Sequence, residues 1–189
     1  MRQNKLFFIV SVVLIPVILL TLGIRGAAFN PKYYESETEK NLINYLQNPE
    51  APESLISEFS ENEQSHLKDV QNLFLLNTIV LAAALILFSI LLPRIDAGKA
   101  LICGGILTII LAIALVIIFL NFDKSFTAFH LVFFTGNWQF PEGSLLITLF
   151  PVKFFMQMAK AIIINTLMLS AAITAAGLFL RNFYSDLVG

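Results

Sequence analysis

Four long apolar stretches set the pattern of this chain: Leu6–Gly23, Leu73–Leu92, Ala100–Leu120 and Ala161–Leu180. None contains a Lys, Arg, Asp, Glu or His. Crossing the hydrocarbon core of a bilayer takes about 20 apolar residues in a helix. Helix is the only open-ended choice there, because no water satisfies an exposed backbone. The pattern therefore predicts four transmembrane helices. The first stretch has a rival reading as a cleaved signal peptide, with small residues following it in Arg25-Gly26-Ala27-Ala28. Its length and the central Pro16 favour a retained anchor.

The polar segments between the stretches carry their own periodicities. Ser36-Glu37-Thr38-Glu39 has the form of a capping box, followed by Leu42, Ile43, Tyr45 and Leu46 at helical spacing. Asn48-Pro49 and Ala51-Pro52 break that helix. Ser60-Glu61-Asn62-Glu63 is a second capping box, and no breaker follows before Pro93, so one helix is predicted to run unbroken into the second span. In the other segment, ten of the chain's 18 phenylalanines fall between Phe119 and Phe155, with Trp138 and Lys153 among them and Pro141 and Pro151 dividing the run. It is too interrupted to span and too apolar for water. Short helices lying in the interface are predicted, one of them over Asp123–Phe134.

Composition narrows the class. Of 189 residues, 57% are hydrophobic and only 13% charged, against about 45–50% and about 25% in soluble domains. A net charge of −1 without a basic block gives no support for nucleic-acid binding. The lone cysteine, Cys103, lies in an apolar run and reads as a packing residue. Basic residues set direction. Arg2 and Lys5 precede the first span, Arg94 and Lys99 fall between the second and third, and Arg181 follows the fourth. Those ends, and hence both termini, are expected in the cytoplasm. Residues 24–72 and 121–160 then face outward, and the first of these holds nine carboxylates against four basic residues. The expected fold is an all-α membrane protein of one domain over residues 1–189, with four transmembrane helices, a small extracytoplasmic helical lid and interfacial helices.

Both histidines lie just outside a predicted span. Imidazole is the side chain best matched to proton transfer near neutral pH. His66 sits in Glu63-Gln64-Ser65-His66-Leu67-Lys68-Asp69-Val70, and at about 1.5 Å per residue it stands roughly 10 Å before Leu73. Glu63 and Asp69 share its helical face. His130 sits in Ala128-Phe129-His130-Leu131-Val132-Phe133-Phe134. Two interfacial histidines making ordinary hydrogen bonds are the bland alternative.

These two blocks carry a family resemblance. Glu63-x-x-His66-Leu67-x-Asp69-Val70, then Phe129-His130-x-x-Phe133-Phe134-x-x-x-Trp138, Leu145-Leu146-Ile147 and Phe150-Pro151-x-x-Phe154-Phe155 resemble the bacterial lipoprotein intramolecular transacylases, over most of the chain. The resemblance implies an enzyme of the outer leaflet of the bacterial plasma membrane. Members move an acyl chain from the diacylglyceryl group on a lipoprotein's N-terminal cysteine to that cysteine's own α-amino group, giving the lyso-form. The resemblance implies that the histidines of the two motifs, His66 and His130, are the essential groups. The implied partners are a diacylated lipoprotein and membrane lipids.

The residues fit such chemistry. The amine and the ester are tethered in one substrate, so proximity accounts for a large part of the barrier. A base and an oxyanion donor remain to be supplied, and no protein nucleophile is required. The chain has no Gly-x-Ser-x-Gly, no His-Glu-x-x-His and no sign of a metal or cofactor. His130, in its aromatic setting, is the expected base. His66, between Glu63 and Asp69, is the expected donor, either protonated or held in one tautomer by a carboxylate. Glu142 is a further candidate for supporting a histidine. Asn30, Tyr33 and Tyr34 are candidates for binding substrate, while Asn137, Trp138 and Gln139 are candidates for lining the acyl entrance. The tyrosines are more often interfacial anchors than substrate contacts, and Trp138 reads most simply as a belt residue. Three rival functions stay open on the residues alone. One is a non-enzymatic sensor or assembly partner with an acidic outer domain; another is a lipid acyltransferase or deacylase of different regiochemistry. The weakest is a transporter, which ordinarily needs ionisable groups at mid-membrane.

Overall fold

The computed structural model describes residues 4–188, with side chains described as far as Phe183. Arg2, one of the orienting basic residues, lies outside that range. Among the described residues seven α-helices follow one another: α1 (Lys5–Ala28), α2 (Glu37–Gln47), α3 (Glu61–Leu91), α4 (Ala97–Phe119), α5 (Phe122–Phe133), α6 (Leu145–Leu149) and α7 (Val152–Val188). Single 3-10 turns cover Pro31–Tyr33, Glu53–Ile56 and Leu92–Arg94, and no strand occurs among the described residues. Four helices, α1, α3, α4 and α7, are long and apolar enough to cross a membrane. In α3 the uncharged apolar stretch begins at Leu73, and the charged turns 61–72 precede it.

The chain divides into two compact units. The spanning unit takes residues 1–26, 79–117 and 161–189. Here packing rests on small residues, since lipid tails remove the hydrophobic drive between helices and leave close backbone approach as the main attraction. A side chain at Gly105 of α4 would meet Thr174 and the Ser170 carbonyl of α7, and one at Gly104 would meet Ile15 of α1. Gly98 and Gly177 bring α4 and α7 together lower down. The small residues Gly104 and Gly105 thus place α4 against both α1 and α7. Asn165 of α7 donates to the Gly23 carbonyl of α1 at 3.5 Å, a hydrogen bond between spanning helices. Ile86, Ile110 and Ile117 are exposed, as side chains facing lipid must be. Cys103 is exposed too, so the packing role expected for it is not the one it has. Its neighbours Gly104 and Gly105 occupy the buried side of α4 instead.

The histidine unit takes residues 27–78 and 118–160. Its core joins Leu42, Tyr45 and Leu46 of α2 to Ile56, Phe59 and Leu67, and to Leu146 and Phe150. The Ser36 capping box forms in full, with Glu39 N–H donating to Ser36 Oγ at 3.2 Å and Ser36 N–H to Glu39 Oε2 at 2.7 Å. Gln71 of α3 donates to the carbonyls of Tyr45 (2.7 Å) and Asn48 (3.0 Å), tying down the end of α2. As predicted, α3 runs 31 residues without a break. The start of α7 differs from expectation: it begins at Val152, nine residues before the apolar stretch at Ala161. Pro151 fixes the entry to the helix, and hydropathy registers only the apolar part of it.

Candidate active site

The two imidazoles come from different helices, His66 from the charged turns of α3 and His130 from the last turn of α5. They meet in the histidine unit. Their ring centroids lie 6.1 Å apart with planes inclined by 23°, and only 6% and 7% of each residue is exposed. The rings are thus nearly parallel and share one aromatic neighbour, Phe134. Aromatic rings wall them in. Phe134 contacts both, at 4.7 Å from His66 and 5.3 Å from His130. Phe140 lies 5.5 Å from His66. Phe126 and Trp138 lie 4.1 and 4.8 Å from His130.

One nitrogen in this cluster is fixed. His130 Nδ1 lies 2.7 Å from the carbonyl oxygen of Phe126, one helical turn earlier. A carbonyl only accepts, so Nδ1 must carry the hydrogen, and in the neutral ring Nε2 keeps the lone pair. His66 Nδ1 is buried without a partner. A buried unpaired N–H is rarer and costlier than an unpaired acceptor. The neutral His66 ring is therefore best satisfied with its hydrogen on Nε2. Burial holds both groups below the ordinary histidine value. For His66, burial, reinforced by the nearby His130, brings the pKa down to about 4 against an upward pull from Asp69. For His130, burial outweighs the Phe126 carbonyl, which favours the charged form. Both imidazoles are neutral at pH 7.

The carboxylates expected to attend His66 are arranged otherwise. Glu63 is buried, but Oε1 accepts from the Leu146 N–H at 2.7 Å, and Oε2 accepts from the N–H and hydroxyl of Ser60 at 2.8 and 2.7 Å. Burial raises its pKa; the hydrogen bonds from Leu146, Ser60 and Ser144 more than reverse this and hold it below the usual glutamate value. As the third residue of its helix, Glu63 turns back to the helix start, as a capping-box glutamate does, and so turns away from His66. Asp69 makes no hydrogen bond to His66 and acts on it through charge alone. Glu142 is exposed and meets neither ring.

The proposed substrate contacts separate into two groups. Asn30 caps the turn Pro31–Tyr33, Tyr33 lies beneath the Lys32 ammonium, and the buried Tyr34 donates its hydroxyl to the Ala28 carbonyl. Burial, then Glu39 and Tyr33, push the Tyr34 phenol up to about 12. These three are engaged in local structure and do not join the histidines. Trp138, by contrast, packs on His130. Asn137 and Gln139 line an open cavity of about 390 Å³ together with Ser60, Asn62, Phe140 and Ser144. Phe140 belongs to both the cavity and the cage around His66. Sequence reasoning missed Phe126, Phe134, Ser60 and Ser144. The spacing of Phe126 four residues before His130 is a readable signal, since a helical histidine can reach that carbonyl. The approach of Ser144 and Leu146 to Glu63 left none.

A family model described as "Lipoprotein intramolecular transacylase Lit" matches residues 36–155, which include both histidines. The chain belongs to that family. Lipoprotein intramolecular transacylases are acyltransferases, and the chain is accordingly a multi-pass membrane enzyme of this class. It is similar to the crystallised Lit of Bacillus cereus, an integral membrane lipoprotein intramolecular transacylase. The two are 26% identical over 96% of this chain and 97% of that one, with a TM-score of 0.84. A histidine-to-arginine variant of the same Bacillus protein superposes with a TM-score of 0.78 at 25% identity, covering 96% and 93% of the two chains. No curated protein sequence matches. Family membership supersedes the sensor and transporter readings.

Proposed function

We propose that this transacylase moves an acyl chain from the diacylglyceryl group of a lipoprotein's N-terminal cysteine to that cysteine's own α-amino group, giving a lyso-form lipoprotein. The α-amino nitrogen attacks the ester carbonyl carbon, the ester C–O bond breaks and an amide forms. The amine loses one proton and the leaving alkoxide gains one. His130 Nε2 takes that proton and delivers it, while the Nε2–H of His66 steadies the oxyanion. No acyl-enzyme is needed, because nucleophile and electrophile arrive on one substrate.

The observation that carries this reading is the stacked, neutral histidine pair with His130 Nδ1 committed to the Phe126 carbonyl. It supplies a lone pair and a donor in a cage from which aromatic rings exclude bulk water, where both count for more. Glu63 supports the pair indirectly, by holding the start of α6 against α3. The site belongs at the outer leaflet, with both termini cytoplasmic and residues 24–72 and 121–160 forming an extracytoplasmic lid. The exposed apolar side chains of α5, Leu131 and Val132 among them, suit a seat in the lipid interface.

His66→Gln and His130→Gln, each purified and given a diacylated lipopeptide, test the proposal by mass spectrometry of the product. Both are expected to lose the transfer by a factor of about 10²–10⁴, His130→Gln more severely. Wild-type rates in either variant refute it.

A further inference from the structure

The cavity beside Phe140 differs in chemistry from the aromatic cage. Its walls combine the Phe140 ring and Pro141 with amide and hydroxyl side chains: Asn62 from the first turn of α3, Asn137 and Gln139 from the loop after α5, and Ser60 and Ser144. The Glu63 carboxylate at this cavity is already occupied by its hydrogen bonds to Ser60 and Leu146. Among the described residues, the side chains of Asn62, Asn137 and Gln139 make no hydrogen bond, so their donors and acceptors are available. Resting on the transacylase reading above, we infer that this cleft is the subsite for the substrate's peptide backbone, holding the residues that follow the modified cysteine through the amides of Asn62, Asn137 and Gln139.

Three arguments lead there. The first is complementarity: a primary amide offers donors and an acceptor together, the set that matches a peptide N–H and C=O. No Lys or Arg lines the cleft, so it is not built for a phosphate headgroup, and an acyl tail would strip water from its amide and hydroxyl side chains with no hydrogen bond in return. The second is distance. Phe140 touches His66 at 5.5 Å and lines the cleft, while an extended chain covers about 3.3–3.6 Å per residue. A cysteine whose amine lies at the histidines places its next two or three residues beyond that ring. The third is size, since about 390 Å³ falls in the range of small-ligand sites, roughly 300–1,000 Å³. Recognition through backbone groups reads no side chain. The enzyme thereby accepts lipoproteins of differing sequence.

The test uses the full-length enzyme in detergent and three substrates: a diacylated lipopeptide with four residues after the cysteine, the same peptide N-methylated at its second and third backbone amides, and diacylglyceryl-cysteine amide with no peptide. On the wild type, N-methylation is expected to lower kcat/KM about tenfold, chiefly through KM. The Asn137→Ala/Gln139→Ala variant should lose a similar factor on the normal peptide, a smaller factor on the truncated substrate, and little more on N-methylation. Asn62→Ala, on α3, should repeat the pattern. Equal losses on full and truncated substrates, or an undiminished N-methylation penalty in the variants, overturn the subsite. Failure of the wild type to convert any of the three overturns the transacylase reading instead.

Discussion

His66 and His130 are held neutral by what surrounds them. Phe134, Phe140, Phe126 and Trp138 take the place of water around the rings, and an imidazolium there forfeits hydration with little to replace it. The consequence for stability has a definite sign. In the unfolded chain a histidine titrates near 6.5, whereas folded His66 resists protonation down to about 4. Lowering the pH through that interval protonates the unfolded state first, so stability is full above 6.5 and is lost progressively as the pH falls to about 4. Thermal unfolding followed between those limits should show this slope, and His66→Leu should flatten it; an unchanged slope in the variant refutes the assignment. In the profile of kcat/KM, the substrate's α-amine should set an acid limb at about 7.7–8.0, with any limb from the enzyme lying below the ordinary histidine value. At this scale the two rings and their aromatic company were readable from the blocks around residues 66 and 130. The partner atoms were not. Glu63 and Asp69 share a helical face with His66, yet hydrogen bonding is decided by which acceptor the side chain turns toward, and helical spacing does not encode that.

At the scale of elements, Glu63 matters as a joint. The helix α6 has five residues, far too few to hold itself in water, and its Leu146 N–H is anchored by a carboxylate 83 positions away. Replacing Glu63 by Ala strands that buried N–H and the groups of Ser60, at a cost of about 1–3 kcal/mol. The expected result is a lowered melting temperature together with a fall in kcat/KM. Glu63→Gln, whose carbonyl still accepts from Leu146, should recover part of both. Should Glu63→Ala abolish turnover with no change in melting, the carboxylate acts at the reacting atoms and not at the joint. Elements with local signals were legible in advance. Ser36 caps α2 as its motif specifies, and α3 persists for want of any breaker before Pro93. The early start of α7 and the joint between α3 and α6 were not, because the first is masked by Lys153 and Lys160 in a hydropathy window and the second depends on tertiary proximity.

Across the whole molecule, the two units are stabilised by different physics. The histidine unit buries aromatic and aliphatic side chains in a core, where water supplies the drive. The spanning unit has lipid around it, and its helices hold together by close approach at small residues. Gly105 is the sharpest case: a Cβ there would collide with the Thr174 side chain and lie 3.1 Å from the Ser170 carbonyl, a backbone atom of the facing helix. Gly105→Val should force α4 and α7 apart and cost about 1–3 kcal/mol by overpacking. Cys103→Val, two positions away and exposed, should cost almost nothing, because it changes only a surface that lipid covers. The comparison is made by thermal unfolding in one detergent, with the pH slope assigned to His66 measured in both variants. Since that slope arises inside the histidine unit, Gly105→Val should lower the melting temperature while leaving the slope intact. Equal destabilisation by the two substitutions would mean that α4 is held by its apolar surface and not by the glycine contact.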